Sequence, residues 1–453
     1  MDRRRFTKGL GFIGIALLIC ACGAAFHPNF QKDPTELSVE TQDQTEWSEW
    51  TESSWAKLKP SKELKWVDCY PGGFECGRLQ VCSTLLRYEK AVVETNITWL
   101  RCLSTTTSPE DELAAIALIR LRANVSTDST DYRGPILFNP GGPGGSGVDL
   151  VRGRGAMLAK VVGPQFDIVG FDPRGVSRST PRVSFYESRV ERELWARPSV
   201  RELNMSSDTV ASSWARNEIT GELAAQRDDN VLAHINTDHT ARDMLKITEA
   251  HGRKKLQYWG FSYGTVLGST FAAMFPRAAA KWTTNLRDTD NVLQWFFKDC
   301  LDAGPNDCAF YEPSIEAMNG KLNKLYASII QSPVPVHTNA SYGIVDYARL
   351  RGTIFTAFYQ PFNKWAQLAA GLADLINGNG TALYSMTDAD QFQCSCDPLE
   401  KAFQGVADAT TAIACNDGDV VPSDLESAQE HYANILKVSE WGSLWAGIHL
   451  ACA

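Results

Sequence analysis

The sequence predicts an α/β domain on a mainly parallel sheet, carrying a large helical insertion, and three observations support that expectation. Strand-like and helix-like apolar segments alternate from Ala114 to Pro276. A short run, Leu256 to Trp259, ends in the turn Gly260-Phe261-Ser262-Tyr263-Gly264, followed by a helix-length apolar segment from Thr265 to Phe275 that Pro276 closes. Later, Ile315, Met318, Leu322, Leu325 and Ile329 recur at helical spacing, and Val345 to Tyr359, Lys364 to Ile376 and Leu425 to Leu450 show similar patterns.

Taken in chain order, the first segment is basic, Asp2 to Lys8, and leads into the apolar Gly9 to Phe26. Residues 1–26 therefore read as a secretory signal peptide or a signal anchor, and the arginine cluster also fits a twin-arginine signal loosely. Small residues at Ala21, Gly23, Ala24 and Ala25 permit cleavage, while residues 9–26 could just span a bilayer and anchor the protein. Either way the remainder is expected outside the cell or in a lumen, as a secreted or single-pass membrane protein. Residues 27–65 are acidic and polar, a stalk or linker in which Trp47, Trp50 and Trp55 read as anchors to the domain that follows.

The α/β core is expected over residues 66–284. Pro135 to Phe138 is a strand that runs into Asn139-Pro140-Gly141-Gly142-Pro143-Gly144-Gly145. Glycines there let main chain approach a ligand closely. A phosphate loop is disfavoured, because no Lys-Ser/Thr follows and GxGxxG spacing is absent. Phe166 to Gly175 reads as a buried-type strand running into a turn, and Asp172 and Arg174 are expected to form an ion pair that pins that loop. Asp243 to His251 reads as a short helix before the strand that ends at Ser262.

The pentapeptide around Ser262 is weak evidence alone, but a strand before it and a helix after it are what a nucleophile elbow requires. Attack by its hydroxyl on a carbonyl creates an oxyanion that needs backbone N–H donors already in place, and the glycine-rich turn can supply one.

With these motifs assembled, the chain resembles the tripeptidyl and prolyl aminopeptidase group of secreted α/β hydrolases. The resemblance rests on Phe138 to Gly147, Gly170-Phe171-Asp172-Pro173-Arg174-Gly175 and Tyr258 to Thr265, and extends from about Trp66 to the C-terminus through Asp288-Thr289-Asp290 and Cys300 to Tyr311. It implies an α/β-hydrolase fold with a mainly helical cap over residues 285–453. It also implies a serine exopeptidase that releases residues or tripeptides from peptide N-termini through an acyl-enzyme. By position Ser262 is the nucleophile, and the Gly142 and Tyr263 N–H groups are the oxyanion donors. Peptides are the implied substrates.

Three departures from that pattern stand in the sequence. The family's late strands, its triad Asp and its Gly-His pair do not precede Ala453, and the histidines after the serine, His337, His431 and His449, read as surface or packing residues. Arg277 to Thr284 stands where an apolar strand is expected, which leaves the elbow strand at a sheet edge. Residues 82–108 interrupt the fit as an insertion. A faulty translation, with retained intron, lost coding sequence and a premature end, explains all three. A diverged, non-catalytic binding protein is the alternative, and carboxylesterase activity is the alternative chemistry.

Composition agrees with a folded, secreted domain. The 453 residues are 44% hydrophobic and 10% aromatic, ample for a core, and the net charge of -9 is spread along the chain, which argues against a nucleic-acid surface. Cysteines beyond residue 26 fit an oxidising compartment; Cys69 with Cys76 and Cys300 with Cys308 are plausible local pairs, while the pairing of Cys394, Cys396, Cys415 and Cys452 stays open. Cys394-Ser395-Cys396 without nearby histidines is a weak zinc ligand set, so neither metal nor cofactor is expected. Asn96, Asn124, Asn204, Asn339 and Asn379 head glycosylation sequons.

Overall fold

The computed structural model describes residues 50–82, 113–196, 202–227, 231–273, 285–338, 341–387, 406–417 and 424–452. The expected signal segment, the departures at 83–108 and 277–284, Trp47, Cys394 and Cys396 lie outside these residues, as do the sequons at Asn96 and Asn339.

Helix α1 (Glu52–Lys57) precedes strands β1 (Val67–Cys69), β2 (Phe74–Cys82), β3 (Leu113–Leu121) and β4 (Gly134–Asn139). Helix α2 (Gly147–Val162), strand β5 (Phe166–Phe171), helices α3 (Arg189–Ala196), α4 (Thr209–Gln226) and α5 (Thr237–Ala250), strand β6 (Tyr258–Gly260) and helix α6 (Tyr263–Ala273) complete the core segment. Then come α7 (Thr289–Ala303), α8 (Ile315–Gln331), the hairpin β7 (Val334–His337) and β8 (Tyr342–Val345), α9 (Tyr347–Phe358), α10 (Pro361–Ile376), α11 (Thr381–Met386), α12 (Val406–Asp417), α13 (Leu425–Leu436) and α14 (Gly442–Leu450).

The sheet runs β1-β2-β3-β5-β4-β6. Strands β5, β4 and β6 are parallel, as expected from their alternation with helices, and β1 to β3 form an antiparallel flank. Cys82 stands opposite Leu113 at the end of the β2–β3 ladder, so the segment between them leaves and returns at neighbouring backbone.

Both faces of the sheet are covered. Phe138 and Ile168 pack with Val148, Val151 and Leu158 of α2, and Trp55 and Tyr70 close that layer. Leu137, Val169 and Phe171 point the other way, onto Met244 and Ile247 of α5 and Leu267 of α6. The switch of face between Leu137 and Phe138 is the two-residue period of a strand buried on both sides. The tryptophans expected to anchor the polar segment do so where described: Trp55 is buried and donates to the Tyr70 hydroxyl at 2.9 Å, with Trp50 edge-on against it.

Among the described residues of 285–453 the elements are helical with one exception. Pro335 and His337 belong to the β7–β8 hairpin. A proline is tolerated there because the pair has no third strand. One apolar cluster joins α7, α8, α9 and α10 around Phe297, Phe310, Leu322, Ile354 and Leu372. A second joins Val210 and Trp214 of α4 to Ala428, Ile435, Ala446 and Leu450 of α13 and α14, so α4, placed by sequence within the core segment, packs on the cap side. Arg351 ties the two together, stacking on Trp441 at 4.0 Å and donating to Glu202 and to the Glu440 carbonyl.

The expected Asp172–Arg174 pair does not form; each residue has another partner. Asp172 is fully buried and accepts from Ser146 Oγ at 2.5 Å, from Val148 N and from Arg178 N, joining the loop to the start of α2. Arg174 donates twice to Asp243 on α5, at 2.8 and 2.7 Å, and both side chains are nearly inaccessible. Burial pushes the Asp243 carboxyl up and Arg174 pulls it down, so the pair stands or falls together. Asp243→Ala is expected to cost about 3–5 kcal/mol in urea unfolding, because it strands a buried guanidinium, whereas an apolar replacement of both partners recovers most of the loss.

Candidate active site

Strand β6 pairs with β4 so that Gly260 lies opposite Asn139, at the carboxyl ends of both strands. Beyond that pair the chain reverses within two residues. Phe261 N donates to Asn139 O at 3.0 Å, Gly264 N closes back on Phe261 O at 2.7 Å, and α6 begins at Tyr263. Ser262 stands at the apex with φ of 52°, in the left-handed region that non-glycine residues rarely occupy, and its side chain is exposed. This is the strand-to-helix turn expected from the pentapeptide, with the strained serine that defines an elbow.

The glycines two positions away are required by contact. A Cβ on Gly260 would lie 2.2 Å from Gly264 O, and one on Gly264 would lie 2.9 Å from both Asn139 O and Asn139 Oδ1. The glycine-rich turn rests on the same spot: a Cβ on Gly141 would come within 2.3 Å of Phe261 O, 2.9 Å of Ser262 Cβ and 2.9 Å of Tyr263 N. The loop backbone thus touches the elbow, and any side chain at Gly141 would push the two apart.

Asn139 latches the two turns together. It is buried, its side chain accepts from Gly141 N at 2.8 Å, and its carbonyl accepts from Phe261 N. Sequence reading gave it no role, although a polar residue at the end of the apolar run Ile136-Leu137-Phe138 was the available signal. The N–H groups of Gly142 and Tyr263 have no acceptor among the described residues; Tyr263 N is the amide that Gly141 approaches, and Gly142 is the next residue of that loop. Backbone N–H donors aimed at a carbonyl bound beside such a hydroxyl can stabilise the oxyanion that forms there.

Beneath the elbow, burial pushes the Tyr263 phenol up, so it stays protonated. It shares a hydrogen bond with Thr237 Oγ1, which also bonds Asp417; Asp417 Oδ1 accepts from Thr237 N at 3.0 Å, satisfying an N-terminal amide of α5. No described histidine is hydrogen-bonded to Ser262. His234 and His239 lie ring to ring near the start of α5, and burial, with Arg174 nearby, pushes His239 down to about 3. His251 Nδ1 donates to Ile247 O at 2.8 Å with its ring against Trp66, and His337 is exposed on β7. His431 is half-buried on α13, and the His449 side chain lies outside the description.

Between α3–α4 and α12–α14 lies a cavity of about 470 Å³ that Glu202, Asp408, Arg192, Arg216 and Trp195 help to line. Burial raises both carboxyls, Glu202 Oε2 has no hydrogen-bond partner, and Asp408 meets Arg192 at 3.5 Å. Disulfides join Cys69 to Cys76 and Cys300 to Cys308, as expected, and also Cys415 to Cys452. Asn124, Asn204 and Asn379 are exposed. Among the described residues no helix is long and apolar enough to cross a membrane.

A parallel-sheet core with a strained serine elbow and an adjoining glycine loop defines an α/β hydrolase, and residues 134–298 match the alpha/beta hydrolase fold family. Within that class the chain groups with the tripeptidyl-aminopeptidase-like serine hydrolases. It is 29% identical to the serine protease Hip1 of Mycobacterium tuberculosis over 389 residues, 80% of this chain and 68% of that protein. The tripeptidyl aminopeptidase of Streptomyces lividans is 29% identical over 289 residues, 59% of this chain and 51% of its own length. Carboxylesterase B of M. tuberculosis is 33% identical over 144 residues, 31% of this chain and 26% of the relative.

The backbone strain at Ser262 gives a direct test. Ser262→Gly is expected to be more stable than Ser262→Ala by about 1 kcal/mol in urea unfolding, since only glycine relaxes at positive φ. Equal stabilities would mean that the turn carries no such strain.

Proposed function

We propose that this chain is a serine hydrolase of peptides, acting near their N-termini, with Ser262 as nucleophile and the Gly142 and Tyr263 N–H groups as oxyanion donors. The observation that carries the reading is the exposed, left-handed Ser262, held with Tyr263 N against Gly141 of the glycine loop. Ser262 Oγ forms a bond to the scissile carbonyl carbon, the amine leaves with a proton, and water then cleaves the acyl-enzyme. No described residue is bonded to Ser262 Oγ as a base, so slow acylation is expected, with the rate that remains resting on the oxyanion donors.

The cap supports restriction to chain ends. Asp408, on the helix that touches the glycine loop through Thr410, is a carboxylate suited to a peptide's α-ammonium group. The three disulfides favour an oxidising compartment, and a secreted form follows from the basic and apolar N-terminal segment. Exposed Asn124, Asn204 and Asn379 are glycosylation positions if the host is eukaryotic.

Ester hydrolysis is the second reading, favoured by the relation to a carboxylesterase and by an oxyanion site that serves esters equally. Tripeptide p-nitroanilides with free and acetylated N-termini, set beside p-nitrophenyl esters, separate the two. The free-amine peptides are expected to be cleaved, the acetylated ones not, and Ser262→Ala to abolish cleavage; Asp408→Asn raises KM for the peptides alone. Turnover of esters only supports the second reading, and turnover of neither leaves a binding protein.

A further inference from the structure

The two halves of the proposed oxyanion site come from different parts of the core, the loop after β4 and the turn after β6, yet one cap helix touches both. Near the start of α12, the Thr410 hydroxyl lies 2.6 Å from the Pro143 carbonyl in the glycine loop and 2.6 Å from the Val406 carbonyl one turn back. With a single proton the hydroxyl shares between these acceptors. The contact is close on the backbone side as well: a Cβ on Gly144 would lie 2.6 Å from Thr410 Oγ1 and 2.8 Å from Val406 O. At the other end of α12, Asp417 holds Thr237 by its amide and hydroxyl, and Thr237 in turn holds the Tyr263 hydroxyl.

Between those ends the helix is fixed. Ala409, Ala412, Ile413 and Ala414 are buried in the same core cluster as Tyr263 and Leu267. Asn416 donates to Leu232 O and Ile235 O, and Cys415 is bonded to Cys452. Asp408 accepts from Phe185 N in the segment after β5.

From this geometry we infer that α12 is a strap that sets the spacing of the two oxyanion donors, with Thr410 positioning the Gly142 amide and Asp417, through Thr237, positioning the Tyr263 amide. The inference rests on the reading of Ser262 as nucleophile. Neither residue touches the reacting atoms; both act through backbone that does. Donors that must meet a developing charge at hydrogen-bond distance lose most of their effect when displaced by about 1 Å.

The test is the second-order rate of Ser262 labelling by a fluorophosphonate, whose phosphoryl oxygen occupies the oxyanion position, measured on the full chain with its disulfides intact. Thr410→Val keeps the shape of the side chain and removes the hydroxyl; it is expected to slow labelling about tenfold or more while shifting Tm by no more than about 2 °C. Thr410→Ser should restore the wild-type rate. With a p-nitrophenyl ester the same loss should fall on kcat, with KM unchanged. Asp417→Asn should slow labelling too, and the two substitutions together should exceed either alone.

Labelling of Thr410→Val at the wild-type rate, with Ser262→Ala unlabelled, overturns the strap and leaves the serine reading intact. Equal slowing in Thr410→Val and Thr410→Ser also overturns it, since the hydroxyl then does not matter. A wild-type chain that takes no label at Ser262 overturns both.

Discussion

Ser262 can occupy a left-handed turn between β6 and α6 only because nothing but hydrogen occupies the side-chain positions of Gly260, Gly264 and Gly141. Everything around the candidate site follows from that steric constraint. Close approach of Gly141 to the elbow lets the glycine loop and the serine share one patch of surface, and Asn139 fixes the distance by bonding to each. A backbone conformation that costs of order 1–3 kcal/mol persists when its surroundings over-determine it, and here the β4–β6 pairing, the Asn139 latch and the buried Tyr263 do so together.

The support reaches outward through charge and packing. Arg174 and Asp243 hold the loop after β5 to α5, and the first residue of α5 carries the bond network that reaches Tyr263. Asp172 holds the same loop to the start of α2. Buried ionic contacts of this kind contribute little net stability but strongly penalise loss of one partner, which makes them suited to fixing loop positions. Cap and core then meet at α12, whose alanines enter the core cluster of the sheet while Asp408 faces the cavity beside α3 and α4.

Much of this was legible in the sequence where apolar periodicity was strong. The strand expected at the start of Phe166 to Gly175 spans Phe166–Phe171, the helix expected from Thr265 begins at Tyr263, and Val345 to Tyr359 gives α9 at Tyr347–Phe358. The first turn of α5 went unseen because Asn236-Thr237-Asp238-His239 holds no apolar residue; its order comes from the Asn236 cap and from Asp417, which is remote in sequence. Helix α12 had no stripe of large side chains to reveal it, since alanines supply most of its buried face. Asp172 and Arg174 were expected to pair with each other, but their partners are long-range and no local spacing encodes them. The hairpin at β7–β8 was hidden by Pro333 and Pro335, which read locally as turn residues.

The central claim is that the elbow presents Ser262 as a reactive hydroxyl backed by two amides. Peptide mapping by mass spectrometry after exhaustive fluorophosphonate treatment tests it most directly. The account expects one adduct per chain, on the peptide that contains Ser262, and its disappearance on prior unfolding in urea. An unmodified Ser262, or modification that survives unfolding or falls on other serines, would contradict it.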